Sequence, residues 1–213
     1  LRNFPADKLI PIPDSIDDET AAAIIVKGIT AEYLLLRCYP VKPGEDVLFH
    51  AAAGGVGQIA GQWGTHLGAN MIGVAGGQDK CQLALKIGYT QCIDRKSENI
   101  VTRVKALTNG SGVSVVYDSV GKDSFEDSIN SLKPMGMFVS FGTTTGEPPA
   151  IAPSRLQKMG SLYITRPTLV DYMAVRGDML NSANQVFDLL QKGVLSVTIG
   201  QRYGFDDIIQ AHV

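Results

Sequence analysis

The sequence predicts an α/β protein built on a doubly wound parallel sheet of six strands, with helices on both faces. Short apolar runs alternate along the chain with segments of helical periodicity, which is the pattern of strand–helix–strand units. The apolar runs are short enough to be buried parallel strands. A glycine-rich turn joins the first of these strands to the helix after it. Together these observations indicate a Rossmann-type domain, in which ligands bind at the carboxyl ends of the strands.

The glycine-rich turn follows the apolar run Val47–Phe49 and has the pattern Ala51-x-x-Gly54-x-x-Gly57. This spacing departs from the usual G-x-G-x-x-G, so the turn alone is also compatible with a purely structural role. Apolar residues then recur at helical spacing, beginning at Val56. The first N–H groups of that helix and its positive dipole end would face the turn, which favours binding of a pyrophosphate.

The segment before the turn is predicted to be irregular at first and then helical. Residues 1 to 19 are rich in proline, and Ser15 or Asp17 is suited to cap the helix that follows. We expect that helix to cover residues 18–27, to break near Gly28 and to resume over residues 30–39.

The segment after the turn alternates between strands and helices as far as residue 192. Apolar runs predict strands at 69–75, 91–94, 113–117, 136–141 and 162–165. Helical periodicity predicts helices at 79–87, 98–107, 125–132, 156–159 and 177–192. A further strand is expected at 194–199, outside the nucleotide fold, and residues 206–213 resemble the start of a helix. Both ends look cut, as in a piece of a longer polypeptide.

Composition and charge exclude several classes of function. The chain has 213 residues and a net charge of −2, which gives no electrostatic case for binding nucleic acid or an anionic membrane. No apolar run approaches the length of a membrane span. Cys38, Cys81 and Cys92 are widely spaced, so we expect neither a metal cluster nor a disulfide framework, and a reducing, cytoplasmic location.

The residues that follow the second and third strands indicate the dinucleotide. In this fold an acidic residue after the second strand usually binds the ribose 2′-hydroxyl. Here that strand ends in Val74-Ala75-Gly76-Gly77 without a carboxylate, whereas Lys80 and Arg95 lie close to strand ends. Two cations suit a 2′-phosphate, so NADP(H) is favoured over NAD(H). The alternatives are that both cations are solvated surface charges, or that Asp79 beside Lys80 opposes the phosphate.

Several separate motifs in one order make the chain recognisable. The run 49–57 is followed by Tyr117-Asp118-Ser119-Val120-Gly121, by Val139-Ser140-Phe141-Gly142 and by the run 160–167, and it is preceded by Lys27-Gly28-Ile29-Thr30. In these motifs, over its whole length, the chain resembles NADPH:quinone oxidoreductases. These are the zinc-free, zeta-crystallin-like members of the medium-chain dehydrogenase/reductase superfamily.

The resemblance implies a set of cofactor contacts. Thr30 and the turn Gly54-Gly55-Val56 would lie along the nicotinamide half and the pyrophosphate. Gly76 and Lys80 would hold the adenosine end with its 2′-phosphate, and Ser119, Phe141 and Thr144 would line the groove at the ends of the fourth and fifth strands. Arg95 replaces a tyrosine that is common in the family, which we expect to strengthen the hold on the 2′-phosphate.

The resemblance also implies a domain organisation and a reaction. Residues 1–27 would be a remnant of an N-terminal catalytic domain, residues 28–192 the NADP(H)-binding domain, and residues 193–213 the start of the return to the catalytic domain. The reaction would be the reduction of a quinone, or a related small electrophile, by NADPH. A homodimer is expected through the edge strand at 162–165.

Alternatives to this reading remain open. Enoyl and alkenal reductases share the nucleotide fold, and a non-catalytic NADP(H)-binding sensor or structural protein would also carry it. No residue is nominated as a catalytic acid or base. His50 is the best-placed of the three histidines, but a histidine at a strand end is usually a structural residue. The histidines and cysteines show no spacing typical of metal ligands, so no metal is expected.

Overall fold

The computed structural model describes residues 3–212. Three terminal residues lie outside the described residues: Leu1 and Arg2 of the predicted segment 1–27, and Val213 of the predicted segment 193–213. From α1 to β6 helices and strands alternate along the described chain, and two further helices, α7 and α8, follow β6. Their bounds are α1 Asp18–Glu32, β1 Asp46–His50, α2 Gly55–His66, β2 Asn70–Ala75, α3 Gln78–Lys86, β3 Gln91–Asp94, α4 Ile100–Leu107, β4 Val113–Asp118, α5 Phe125–Asn130, β5 Leu132–Ser140, α6 Pro153–Lys158, β6 Tyr163–Thr165, α7 Leu169–Tyr172 and α8 Arg176–Gln191. A short helix, α9, follows at Ile208–Ala211.

The six strands form one parallel sheet in the order β3-β2-β1-β4-β5-β6. This confirms the predicted doubly wound, Rossmann-type fold. The strand order reverses between β1 and β4, where the connections leave to opposite faces and open a crevice at the carboxyl ends of the strands.

The sheet is buried on both faces. Successive side chains of each central strand pack alternately into two hydrophobic clusters, one on each face. Val47, Phe49 and Tyr117 belong to the hydrophobic cluster that includes residues of α1, α2 and α8. Leu48 and Val116 face the other way, into the cluster of α4 and α5. Because successive side chains of a strand point to opposite faces, both sides of each central strand are apolar.

The first helix differs from its prediction, because it does not break at Gly28. A Cβ built on Gly28 would lie 2.7 Å from Cγ1 of Val186, so the glycine allows α1 to lie closely against α8. The helix continues to Glu32 and then passes into a π-helix at Tyr33–Cys38. Asp17 caps its start, as predicted, by accepting a 2.9 Å hydrogen bond from the N–H of Thr20.

The strand expected at 194–199 is absent from the described chain, and that prediction was wrong. This segment is irregular, and the side chain of Gln62 binds it in place of a neighbouring strand. Oε1 of Gln62 accepts a 2.8 Å bond from the N–H of Ser196, and Nε2 donates a 3.1 Å bond to the Ser196 carbonyl. The apolar pattern of the segment reflects packing of Leu195 into the core.

No helix in the described part of the chain is both long enough and apolar enough to cross a lipid bilayer.

Candidate functional site

Two adjoining cavities lie at the carboxyl ends of the strands, on either side of the turn after β1. The larger has a volume of about 470 Å³ and the smaller about 170 Å³, and Ala51 and Gly54 line both. We refer to the larger cavity as the groove. The described residues that line the groove are His50, Ala51, Ala53, Gly54, Val74, Ala75, Gly76, Lys80, Arg95, Lys96, Val120, Thr144 and Thr145. Those that line the smaller cavity are Phe49, Ala51, Gly54, Gly55, Val56, Gly57, Ser119 and Phe141.

The turn between β1 and α2 is tightened by its own backbone. Ala51 adopts a left-handed conformation with a φ of 53°, and its carbonyl accepts a 2.8 Å bond from the N–H of Gly54. A Cβ on Gly57 would lie 2.4 Å from that carbonyl oxygen and 2.6 Å from the carbonyl oxygen of Ala52. Only a glycine at position 57 therefore lets the start of α2 pack against the turn.

The start of α2 offers hydrogen-bond donors to the cavities. No side chain caps it at Gly54. The first N–H groups of a helix have no partner within the helix, and the dipole adds partial positive charge there. A phosphate placed at this point would be held by backbone N–H groups, and the small residues around them leave room for it.

The end of the groove next to β2 and β3 is basic. Lys80, Arg95 and Lys96 line it, and none of the described groove-lining residues is acidic. Nε of Arg95 lies 3.3 Å from a Cβ built on Gly76, and Nζ of Lys96 lies 3.9 Å from one built on Gly77. The two cations therefore lean over the Gly76–Gly77 turn.

The carboxylate at the end of β3, Asp94, serves the backbone of this turn. Its Oδ1 accepts bonds of 3.0 Å from the N–H of Lys96 and 2.8 Å from the N–H of Gly77. These two bonds hold the pKa of Asp94 below its ordinary value. Asp94 thus holds the Gly76–Gly77 turn beside the segment that carries Arg95 and Lys96. It does not line the groove itself.

The loops after β4 and β5 are joined to each other by backbone contacts. The carbonyl of Ser119 accepts a 3.2 Å bond from the N–H of Thr144. A Cβ on Gly142 would lie 2.7 Å from that same carbonyl oxygen, so the two loops touch along their backbones. The ring of Phe141 lies 5.6 Å from that of Phe49, centroid to centroid, and closes one side of the smaller cavity.

A buried polar network supports the loop after β4. Nε2 of His50 lies 3.0 Å from Oγ of Ser128, which donates a 2.6 Å bond to Asp118. Asp118 also accepts bonds of 2.7 Å and 3.1 Å from the N–H groups of Val120 and Gly121. Since the single Ser128 proton goes to Asp118, His50 donates from Nε2.

The protonation of His50 follows from its surroundings. Burial lowers its pKa, although the charges of Asp118 and Asp127 act in the opposite direction. The hydroxyl of Ser128 lies between the imidazole and the carboxylate and is fully buried, so this arrangement is not that of a nucleophilic triad. The network favours the structural reading of His50.

The structure brings together nine of the ten residues predicted to bind the cofactor. Those at the two cavities are Gly54, Gly55, Val56, Gly76, Lys80, Arg95, Ser119, Phe141 and Thr144. Thr30 lines neither cavity, and its hydroxyl donates a 2.7 Å bond to the Val26 carbonyl within α1. Contact of these residues with a cofactor stays a prediction.

Sequence reasoning missed Lys96 as a third cation of the groove. Lys96 directly follows Arg95 at the end of β3, so its position beside a strand end was available as a signal. The contribution of Asp94 could not be read in the same way, because it depends on Gly77, which is distant in sequence and adjacent in space.

Comparison with known proteins agrees with this geometry. Residues 55–192 match the zinc-binding dehydrogenase family. The chain belongs to that family. It is 46% identical over its whole length to a quinone oxidoreductase of Salmonella typhimurium, and it covers 65% of that relative. The resemblance to quinone oxidoreductases is thereby confirmed, and the chain spans about 65% of the length of this relative.

Other similar proteins include a solved structure with a bound cofactor. The Escherichia coli quinone oxidoreductase complexed with NADPH superposes with a TM-score of 0.89 at 45% identity, over 92% of this chain and 60% of the other. A 2-haloacrylate reductase of Burkholderia is 39% identical over 99% of this chain and 64% of the relative.

The family name raises the question of a zinc site. Among residues 3–212 no group of three or more His, Cys, Asp and Glu side chains is arranged to hold a metal ion. The described residues therefore do not fit a zinc centre, and no chemical step is assigned to a metal here.

Proposed function

We propose that this chain is the cofactor-binding part of an NADPH-dependent quinone reductase. The observation that carries the proposal is the basic end of the groove, which adjoins an uncapped helix start and has no acidic residue among its described lining. A 2′-phosphate and a pyrophosphate need those two features side by side. The similarity to quinone oxidoreductases, one of them complexed with NADPH, supports the choice of cofactor and acceptor.

The cofactor would extend along both cavities. The 2′-phosphate would bind between the Gly76–Gly77 turn and the cations Lys80, Arg95 and Lys96. The pyrophosphate would bind at Gly54, Gly55 and Val56. The nicotinamide half would lie toward Thr30, Ser119, Phe141 and Thr144.

When bound, NADPH supplies the hydride, and the residues of this chain would bind and orient it. The rings of Phe49 and Phe141 line the smaller cavity and would exclude water from one side of the cofactor. The joined loops after β4 and β5 would fix its height above the sheet. No described residue of this chain is assigned a proton-transfer role.

The domain division, the assembly and the location are also proposed. Residues 1–27 and 193–213 would belong to the connection with a catalytic domain, and residues 28–192 would form the NADP(H)-binding domain. Exposed Tyr163 and Ile164 on the edge strand β6 support a homodimer through residues 162–165. The free thiols of Cys38, Cys81 and Cys92 support a reducing compartment such as the cytoplasm.

Calorimetric titration with NADPH and NADH tests the cofactor assignment. We expect NADPH to bind more tightly, and Lys80→Ala and Arg95→Ala each to weaken NADPH binding about tenfold while leaving NADH binding nearly unchanged. The reason is that only NADPH carries the 2′-phosphate. Equal affinity of the wild-type chain for both cofactors would contradict the assignment.

Turnover by the full-length protein tests the reaction. NADPH oxidation that depends on added quinone supports the proposal. Turnover of 2-haloacrylate or another activated alkene without turnover of quinones would favour the second candidate, a reductase of carbon–carbon double bonds, which the Burkholderia relative suggests. Tight NADPH binding without turnover of any acceptor would favour a sensor.

A further inference from the structure

The start of α2 is also contacted by a side chain of α1, which belongs neither to the turn after β1 nor to the loops at the strand ends. We propose that Lys27, on α1, binds the pyrophosphate of the dinucleotide with its ammonium group. The inference rests on the proposed cofactor function and assigns it a residue from outside the strand-end loops.

The side chain of Lys27 lies across Gly55, the first residue of α2. Its Cε is 2.8 Å and its Cδ 3.0 Å from the position that a Cβ on Gly55 would occupy. The ammonium nitrogen is one bond of about 1.5 Å beyond Cε. The positive charge is therefore held within a few ångströms of the first turn of α2, where the free N–H groups are.

The packing of α1 fixes this placement. Gly28 lets α1 lie against Val186 of α8, which sets the rotation of the helix about its axis. Lys27 and Thr30 are three residues apart on α1, so they share a face of the helix. The proposed contact with the nicotinamide half at Thr30 and the proposed contact with the pyrophosphate at Lys27 thus lie one helical turn apart.

The ammonium group of Lys27 has no acceptor within the described chain. The side chain is half-buried, yet among residues 3–212 it makes no hydrogen bond and no ion pair. Lys192, by comparison, donates a 2.7 Å bond to Asp188. A partly desolvated ammonium beside free N–H groups makes the local field strongly positive, and a diphosphate offers the oxygen acceptors that both lack.

Gly55 then acquires a role different from that of Gly57. A side chain at 57 would meet backbone oxygens, which cannot move, whereas the three atoms nearest to a methyl group at 55 all belong to the flexible side chain of Lys27. Gly55→Ala should therefore leave the turn intact and displace the ammonium group. This variant displaces the ammonium group without removing its charge and also places a methyl group in the proposed pyrophosphate site, so Lys27→Met and Lys27→Arg carry the test.

Titration of the 213-residue chain with NADPH, NADH and ADP-ribose tests the inference. All three ligands contain the pyrophosphate, and ADP-ribose lacks the nicotinamide. We expect Lys27→Met to weaken all three about tenfold, equivalent to about 1.4 kcal/mol. Lys27→Arg should restore most of the affinity, and Gly55→Ala should resemble Lys27→Met. Lys86→Met, at an exposed lysine of α3, is the matched control and should change nothing.

The pattern across ligands separates the possible results. A uniform loss with an unchanged ratio of NADPH to NADH affinity supports pyrophosphate binding, because loss of a 2′-phosphate contact, as in Lys80→Ala, changes that ratio. Wild-type affinity for all three ligands in Lys27→Met, with an unchanged melting temperature, would overturn the inference alone. A wild-type chain that binds none of the ligands would overturn the proposed function, and the inference with it.

Discussion

At the scale of single residues, His50 makes the free energy of unfolding depend on pH. Burial lowers its pKa below the ordinary value of 6.5, so the folded chain holds it neutral while the unfolded chain protonates it near that value. Below the unfolded pKa the unfolded state binds more protons, and stability falls as the pH drops toward the folded pKa. Asp118, Asp127 and Arg95 are the charged groups that act on it.

We expect the free energy of unfolding to decrease between pH 7 and pH 5.5, and to decrease less in His50→Gln. Urea unfolding at several pH values, followed by circular dichroism, measures both. His66→Gln, at an exposed histidine of α2, is the matched control for replacing an imidazole by an amide. An identical slope in His50→Gln would show that other groups cause the acid sensitivity.

Sequence reasoning reached some residues and could not reach others, for a physical reason. Lys80 and Arg95 were found because the ends of parallel strands meet at one edge of a sheet, and both residues follow such ends. The partners of His50 and the placement of Lys27 over Gly55 depend on helices packing against the turn from elsewhere in the chain. No local pattern encodes those contacts.

At the scale of secondary-structure elements, the junction of β1 and α2 depends on Gly57. In Gly57→Ala the new methyl group would collide with the carbonyl oxygens of Ala51 and Ala52. We expect the free energy of unfolding to fall by about 2–3 kcal/mol and NADPH binding to be lost. Chemical denaturation and calorimetric titration measure the two effects.

The control for this substitution is Gly177→Ala, in the first turn of α8. A Cβ there has no neighbour within 4 Å, so the change should leave stability unchanged or raise it by up to about 1 kcal/mol. Wild-type stability and binding in Gly57→Ala would mean that the turn can shift, contrary to its tight backbone packing.

The elements themselves were largely readable from the sequence. The strand predicted at 91–94 matches β3, and the helix predicted at 177–192 differs from α8 by one residue at each end. Local periodicity failed at Gly28, where packing against α8 outweighs the low helix propensity of glycine. It failed again at 194–199, where an apolar pattern reflects burial of Leu195 without a strand partner.

At the scale of the whole molecule, the edge strand β6 is the proposed site of assembly. Its outer side has no strand partner among residues 3–212, and Ile164 is 37% exposed. If two copies pair along this edge, Ile164→Lys should shift the protein toward a monomer, because charged lysines on an edge strand oppose pairing.

Sedimentation velocity over a range of concentrations measures this shift. Leu85→Lys, at an exposed leucine of α3, is the control and should leave the assembly state of the wild type unchanged. A wild-type mass that stays monomeric at every concentration would exclude assembly through β6.

The strand order has a consequence for how two such subunits would respond to ligand. The basic end of the groove adjoins β2 and β3, at the opposite edge of the sheet from β6. In a dimer joined at β6 the two basic ends would be separated by about 50 Å of continuous sheet, at about 4.8 Å per strand. Neither subunit would contribute a residue to the basic end of the other subunit's groove. Any coupling between the two adenosine ends would therefore have to pass through the sheet, and a Hill coefficient of about 1 for NADPH would show that none does.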